Sequence, residues 1–235
     1  MTDAAIIVAA GTGKRFESEV PKQFEKINEI ELFIRSLMIF DIPQIKLLLL
    51  MVNPEMIEMS KNIVKKYDFN SGIEVAAGGG TRQESVFRGL KYLEKYEINK
   101  VIIHDAARPL FKSEDASCLL NFVKTGEGAV VVSNIRNTIY EVNCDRIINV
   151  PDRNLFLNAE TPQAFIYKEI FEAHKREVTN EIYNNTDDTQ IYLKNGFKMN
   201  LYKISYNNLK ITHKEDLFVA EALLNKRESG RKNDR

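Results

Sequence analysis

The sequence predicts an α/β protein built on a doubly wound, mostly parallel sheet. Five short apolar runs recur along the chain: AAIIVAA (4–10), KLLLLMV (46–52), IEVAA (73–77), KVIIH (100–104) and AVVVS (129–133). Their continuous apolar character suits strands buried on both faces of a sheet. Helix signatures separate them, and strand followed by helix implies right-handed βαβ crossovers. Glycines and cations follow directly on the first run, at the carboxyl end of a strand, where open α/β sheets hold their ligands.

The first run follows Asp3 and is too short for a secretory leader, so it reads as a buried first strand. KLLLLMV is likewise too short to span a bilayer. Asn53-Pro54 places a capping residue ahead of proline at a first helical position. Thr81-Arg82-Gln83-Glu84 has the spacing of a capping box, with Val86, Leu90 and Leu93 following at helical intervals. Ser113 precedes Glu114 and Asp115 and is expected to cap an acidic first turn. Thr212 to Glu215 is a second capping box, opening a helix to about Asn225.

Two segments break the rhythm. In residues 134–155, TIYEV and RIINV flank a polar turn at Asn143-Cys144-Asp145, which predicts a β-hairpin arm inserted into the domain. The end, NKRESGRKNDR, is charged and poor in apolar residues, so residues 226–235 are expected to form a disordered tail. A single domain is expected over residues 1–225.

Composition narrows the function classes. Thirty-three basic and 33 acidic residues cancel, so no global field draws the chain to nucleic acid or to an anionic membrane. An anionic ligand must be held by a local cluster. The two cysteines, Cys118 and Cys144, lack metal or redox spacing and fit a reducing compartment, so a cytoplasmic protein is expected.

The loop VAAGTGKRFESEVPKQF (8–24) supplies such a cluster. It is not a Walker A loop, because Gly11 and Gly13 are too close and no Gly-Lys-Ser/Thr follows. It fails the dinucleotide fingerprint at its third glycine, where Phe16 stands. Its composition still suits phosphate: two glycines let backbone N–H groups approach an anion, and Lys14, Arg15 and Lys22 add charge. The alternative is a solvated loop balanced by Glu17 and Glu19. Three more stretches fall where such a sheet places its site. AGGGTRQES (77–85) offers a wall without side chains for a flat base, with Ser85 in reach of a sugar, or else a flexible turn. HDAARP (104–109) sets Asp105 near Arg108, as ligand groups or as a structural ion pair. NLKIT (208–212) puts Lys210 before a helix cap. His104 is expected to pack at a strand end and His174 to be a solvated helix residue.

Together these stretches resemble the 2-C-methyl-D-erythritol 4-phosphate cytidylyltransferases. AAGTGKRF, VPKQF, GGGTRQESV, HDAARP, DRNLFLNAETPQAF, NTDD and NLKIT with its following EDL and AE come in family order and span nearly the whole chain. The resemblance implies a Rossmann-like nucleotidyltransferase fold and transfer of a cytidylyl group from CTP to a polyol phosphate, with Mg²⁺ carried mainly by the CTP phosphates. It implies a homodimer in which the 134–155 arm clasps the partner. It also implies that Arg15, Lys22 and Lys210 are catalytic. Ala9, Ala10, Gly11, Gly13, Gly79, Gly80, Ser85 and Ala106 would shape the nucleotide site. Asp105, Arg108, Thr161 and Thr186 would meet the acceptor, with Thr138 and Arg153 reaching it from the partner's arm. The related ribitol 5-phosphate cytidylyltransferases tend to read LAGG and HDAVRP where this chain has VAAG and Ala107. The chain departs from the family pattern at Asn137, usually Asp, at FIRSL, where a histidine is usual, and at Phe16, usually aliphatic. A non-catalytic nucleotide-binding protein on the same fold is the reading from a different class.

Overall fold

A computed structural model describes residues 1–11, 16 and 21–233, with side chains as far as Ser229. A seven-stranded sheet organises the molecule. Its strands are β1 (Thr2–Ala9), β4 (Ile45–Val52), β5 (Gly72–Ala77), β6 (Ile98–Asp105), β7 (Glu127–Asn134), β10 (Leu157–Ile166) and β11 (Lys198–Lys203). Their order is β11-β7-β10-β6-β1-β4-β5. β1 pairs in parallel with β4 and β6, β4 with β5, and β11 with β7. Only β10 runs against its neighbours, β6 and β7. Two strands each form a small hairpin, β2 (Lys26–Ile27) with β3 (Ile30–Glu31) and β8 (Glu141–Asn143) with β9 (Arg146–Asn149).

The apolar runs are continuous because their residues serve two cores in turn. Ala5, Ile7, Leu48 and Leu50 point into one layer, beneath α1 (Leu32–Phe40) and α4 (Ser113–Asn121). Ala4, Ile6, Leu47, Leu49 and Met51 point into the other, beneath α3 (Arg82–Leu93) and α5 (Tyr167–Thr179). Each fully buried Ile or Leu contributes about 1.5–3 kcal/mol from leaving water. Gly89 lets α3 approach β1: a Cβ there would stand 3.1 Å from Ile6 Cγ2. Two further helices, α2 (Ile57–Val64) and α6 (Asp188–Lys194), complete the flanks. A third apolar cluster joins Phe16, Ile27, Leu32, Leu110, Ile211 and Ala220, the last from α7 (Glu215–Asn233).

The five expected strands are all present. The hairpin arm is present too, shorter than its sequence pattern, and Cys144 takes the left-handed conformation (φ 50°) at its turn. Asn53 Oδ1 accepts from Glu55 N at 3.1 Å, as its capping position predicts. Thr81 Oγ1 accepts from Glu84 N at 3.1 Å, but the Glu84 carboxylate takes Gly80 N at 2.7 Å in place of Thr81 N. At Thr212 the cap works through a different residue: Thr212 N and His213 N donate to Asp216 Oδ2 at 2.7 and 2.8 Å, and Glu215 opens the helix.

Three expectations are corrected. Ser113 is the first residue of α4 and does not cap it, because Lys112 takes the extended N-cap conformation one residue earlier. The segment from Lys226 to Asn233 continues α7, where a disordered tail was expected. Arg227 holds it down: the guanidinium donates to Leu110 O at 2.6 Å and lies over the Tyr206 ring, 5.0 Å from its centroid. His174 is fully buried in α5, where a solvated residue was expected, because Asp188 accepts from its Nε2 at 3.0 Å.

Candidate active site

A cleft of about 530 Å³ opens at the carboxyl ends of β1, β4, β5 and β6. β1 delivers Ala9, Ala10 and Gly11, the turn after β5 delivers Gly78 to Gly80, and β6 delivers Asp105 and Ala106. Backbone bonds knit these tips together: Gly78 N donates to Val52 O at 2.7 Å, and Ala106 N to Val8 O at 3.0 Å. Gly78 is required here, because a Cβ would fall 2.4 Å from Ala10 Cβ. Gln23, buried within VPKQF, donates from Nε2 to Ala9 O and, at 3.1 Å, to Gly11 O. It ties the far end of the loop back to its beginning.

Cations dominate the described lining. Lys22 Nζ donates to Ile211 O at 2.8 Å and so reaches across to the segment that carries Lys210. Lys210 Nζ donates to Asp105 Oδ2 at 2.6 Å. Arg82 donates from Nε to Asp105 Oδ1 at 2.9 Å and from a terminal nitrogen to Asp188 Oδ2 at 2.8 Å. Arg88 also lines the cleft and donates to Gly78 O at 2.8 Å. Burial alone would raise the Asp105 carboxyl, but the Arg82 and Lys210 charges outweigh it and hold it below the usual carboxylate range. Burial alone would likewise lower Arg82, and the Asp188 and Asp105 carboxylates reverse that, so its guanidinium is held charged.

His104 is no acid or base for this cleft. Burial pushes its imidazole down to about 3, so it is neutral near pH 7. It packs edge-on to Phe40, with Nε2 at 3.1 Å from Arg108 O and Nδ1 at 3.2 Å from Thr161 Oγ1. It is the strand-end packing residue that the sequence predicts.

The sequence-predicted site residues separate by their place in the fold. Ala9, Ala10, Gly11, Lys22, Gly79, Gly80, Ser85, Asp105, Ala106 and Lys210 all line the cleft. The Ser85 hydroxyl is committed to the glycine wall, accepting from Gly79 N at 2.9 Å and donating to Thr81 O at 2.8 Å. Arg108 faces away, into a second cavity of about 780 Å³ that Lys210 also borders. It does not pair with Asp105: it donates to Asn208 O at 2.8 Å and stands 3.7 Å from Glu160 Oε2. Thr161 is buried beneath Asp105, accepting from Asp105 N at 3.1 Å, and Thr186 is exposed ahead of α6. Thr138 and Arg153 are exposed on the arm and line neither cavity, and Arg153 donates to Arg136 O at 2.7 Å. Gly13 and Arg15 lie outside the described residues.

Arg82 and Gln23 are absent from the residues singled out in the sequence. Both stand inside quoted motifs, GGGTRQESV and VPKQF. Arg82 clamps two carboxylates 23 and 106 positions away, a relation that spacing does not reveal.

The comparisons with known proteins agree with this geometry. The family model described as 2-C-methyl-D-erythritol 4-phosphate cytidylyltransferase matches residues 4–226. The chain belongs to that family. Membership makes it a nucleotidyltransferase. Among its relatives, the 2-C-methyl-D-erythritol 4-phosphate cytidylyltransferase of Clostridioides difficile is 35% identical, over 94% of this chain and 93% of its own length. The one from Syntrophus aciditrophicus is 36% identical, over 97% of each. The crystal structure of the 4-diphosphocytidyl-2C-methyl-D-erythritol synthase from Anaerococcus prevotii superposes with a TM-score of 0.81 at 26% identity, covering 95% of this chain and 96% of that one.

Proposed function

We propose that this member of the family transfers the cytidylyl group of CTP to 2-C-methyl-D-erythritol 4-phosphate. The products are 4-diphosphocytidyl-2-C-methyl-D-erythritol and pyrophosphate. The observation that carries the reading is the convergence of Lys22 and Lys210 on one cleft beside a wall of three glycines. A flat base against that wall would leave its triphosphate among the cations.

The chemistry asks for charge control. A phosphate monoester has a second pKa of about 6, so near pH 7 it attacks as a dianion and needs no general base. The barrier is repulsion between two polyanions, which positioned cations lower. Lys22, with Arg15 from the same loop, stabilises charge on the α-phosphate and the departing pyrophosphate during in-line attack. Lys210, held by Asp105, aligns the incoming phosphate. Asp105, Arg108, Thr161 and Thr186 hold the acceptor. Ala9, Ala10, Gly11, Gly13 and Ala106 shape the triphosphate pocket, and Gly79, Gly80 and Ser85 face the base and ribose.

Mg²⁺ fits this site as an ion carried by substrate oxygens. Asp105 is the carboxylate among the described cleft residues, and both its oxygens already accept from cations. When bound, the ion would neutralise phosphate charge. The protein's own part is to align the two anions and screen them.

The arm supports a homodimer. Val142, Ile147, Ile148, Val150 and Leu155 are all exposed on it, an apolar surface of the kind that interfaces cover. Thr138 and Arg153 would then complete the partner's acceptor site. The exposed free thiols of Cys118 and Cys144 suit a reducing cytoplasm, and no helix among the described residues is long and apolar enough to cross a membrane.

Pyrophosphate release separates this reading from its rivals. CTP, UTP, ATP and GTP are each supplied with Mg²⁺ and with methylerythritol phosphate or ribitol 5-phosphate. Release is expected with CTP and methylerythritol phosphate alone. Release with ribitol 5-phosphate in its place moves the chain to the related family, and CTP binding without release makes it a non-catalytic binder.

A further inference from the structure

The wall beside the cleft is a run of three glycines, Gly78 to Gly80, and glycine is the residue that loses most backbone freedom on being ordered. Yet each of the three is tied to α3. Arg88 donates to Gly78 O at 2.8 Å, Gly79 N donates to Ser85 Oγ at 2.9 Å, and Gly80 N donates to Glu84 Oε2 at 2.7 Å. Residues 84, 85 and 88 share one face of the helix, so a single helical face holds the whole wall.

Two of these side chains also hold each other. Arg88 donates from its other terminal nitrogen to Glu84 Oε1 at 2.5 Å. The bonds therefore close a ring that runs from Gly78 O through Arg88 and Glu84 to Gly80 N. The middle glycine is gripped too: a Cβ on Gly79 would stand 2.3 Å from Glu84 Cδ, so backbone and side chain pack with no room between them. Glu84 is the third helical residue, from which a capping box would turn it back to Thr81 N, and it is spent on the wall instead. The Gly80 N–H, helped by Arg88, holds the Glu84 carboxyl below its usual range, so it is ionised near pH 7. Stability does not account for the arrangement. The Arg88 and Glu84 side chains are 47% and 35% exposed, and ion pairs so open to water contribute little.

We infer that Glu84 and Arg88 are positioning residues for the nucleotide base: together they order the three-glycine wall before the nucleotide arrives. The inference rests on the proposed cytidylyl transfer, in which that wall meets the base. A wall ordered in advance spares the nucleotide the cost of ordering it on binding. The pair serves the base half of CTP. Its bonds go to the wall, whereas the phosphate-facing Lys22 and Lys210 are held by Ile211 O and Asp105.

Calorimetric titration of the full chain tests this with two ligands, CTP and inorganic tripolyphosphate, which carries the phosphates and no base. Arg88→Ala and Glu84→Ala are each expected to weaken CTP by about tenfold, the scale of ordering one backbone residue. Tripolyphosphate should bind both variants as it binds the wild type, and both should melt close to the wild type. In turnover the loss should fall on the CTP KM and not on kcat. Arg88→Lys should recover only part of the affinity, because an ammonium cannot fork to Gly78 O and Glu84 at once. The double Ala variant should bind CTP little worse than Glu84→Ala, since the ring is already broken. Unchanged CTP affinity in both Ala variants overturns the inference. So does tripolyphosphate binding that weakens in step with CTP, or penalties that multiply in the double variant. A wild type that binds CTP but releases no pyrophosphate overturns the transfer reading alone, and the titrations still decide the role of the pair. A wild type that binds no CTP overturns both.

Discussion

Arg82 shows how much of the site depends on one side chain. Its planar guanidinium bonds Asp105 on one side and Asp188 on the other, and Asp188 is itself held by buried His174. Asp105 in turn holds Lys210. Arg82→Ala leaves two buried carboxylates short of a cation and should cost about 3–5 kcal/mol of stability. Arg82→Lys keeps the charge, but a compact ammonium cannot span both carboxylates as a fork does. The Lys variant is therefore expected to keep only part of that stability and to lose at least about tenfold in kcat/KM, because Asp105 and Lys210 lose their fixed orientation. A Lys variant with wild-type turnover would show that the clamp is structural only. At this scale the sequence was partly legible. Lys22, Asp105 and Lys210 announce themselves by charge beside glycine or at strand ends. Arg82 does not, because its role arises from partners 23 and 106 positions away in the chain.

At the scale of elements, the parallel strands were readable because each feeds two cores and is therefore apolar throughout. β10 was not, because LNAETPQAFI mixes polar residues with a proline and is buried only from Glu160 to Phe165. It runs antiparallel between β6 and β7, and its first half forms the root of the arm. Phe16 is the sharper case. A ring in place of the third glycine argued against a dinucleotide fingerprint, and the structure shows what the ring does: it is 2% exposed in the cluster with Leu110 and Ile211. Ile211 is also the residue whose carbonyl receives Lys22. Phe16 thus packs against the segment that bears Lys210. Phe16→Ala is expected to cost about 3–5 kcal/mol, read as a lower urea midpoint, and to raise the CTP KM. A large loss of stability with an unchanged CTP KM would limit Phe16 to packing.

Across the whole molecule, the cleft and the arm pose a question of completeness. The cleft holds Lys22, Lys210 and Asp105, while Thr138 and Arg153 sit on the arm and line neither cavity of their own chain, although Asn134 to Asn137 at the base of the arm line the second. The arm's exposed apolar side chains carry the cost of standing in water, a cost that a partner surface removes. If each arm completes its partner's site, a site takes Lys22 from one chain and Arg153 from the other. Arg153→Ala and Lys22→Ala are then each expected to be nearly inactive as homodimers, with the fold retained, since Arg153 is exposed and Lys22 acts on charge in the transition state. In a heterodimer of the two, one site has lost both residues and the other has kept both. Mixing the variants under conditions that exchange subunits should restore activity toward half the wild-type value per heterodimer, with acceptor and CTP KM values of the wild type, because the surviving site is intact. Mixing cannot restore anything if Arg153 serves its own chain, since every site then carries one lesion. Activity that stays at the level of the parents, in a sample whose exchange is verified by mass, would confine Arg153 to the arm and leave the site complete within one chain.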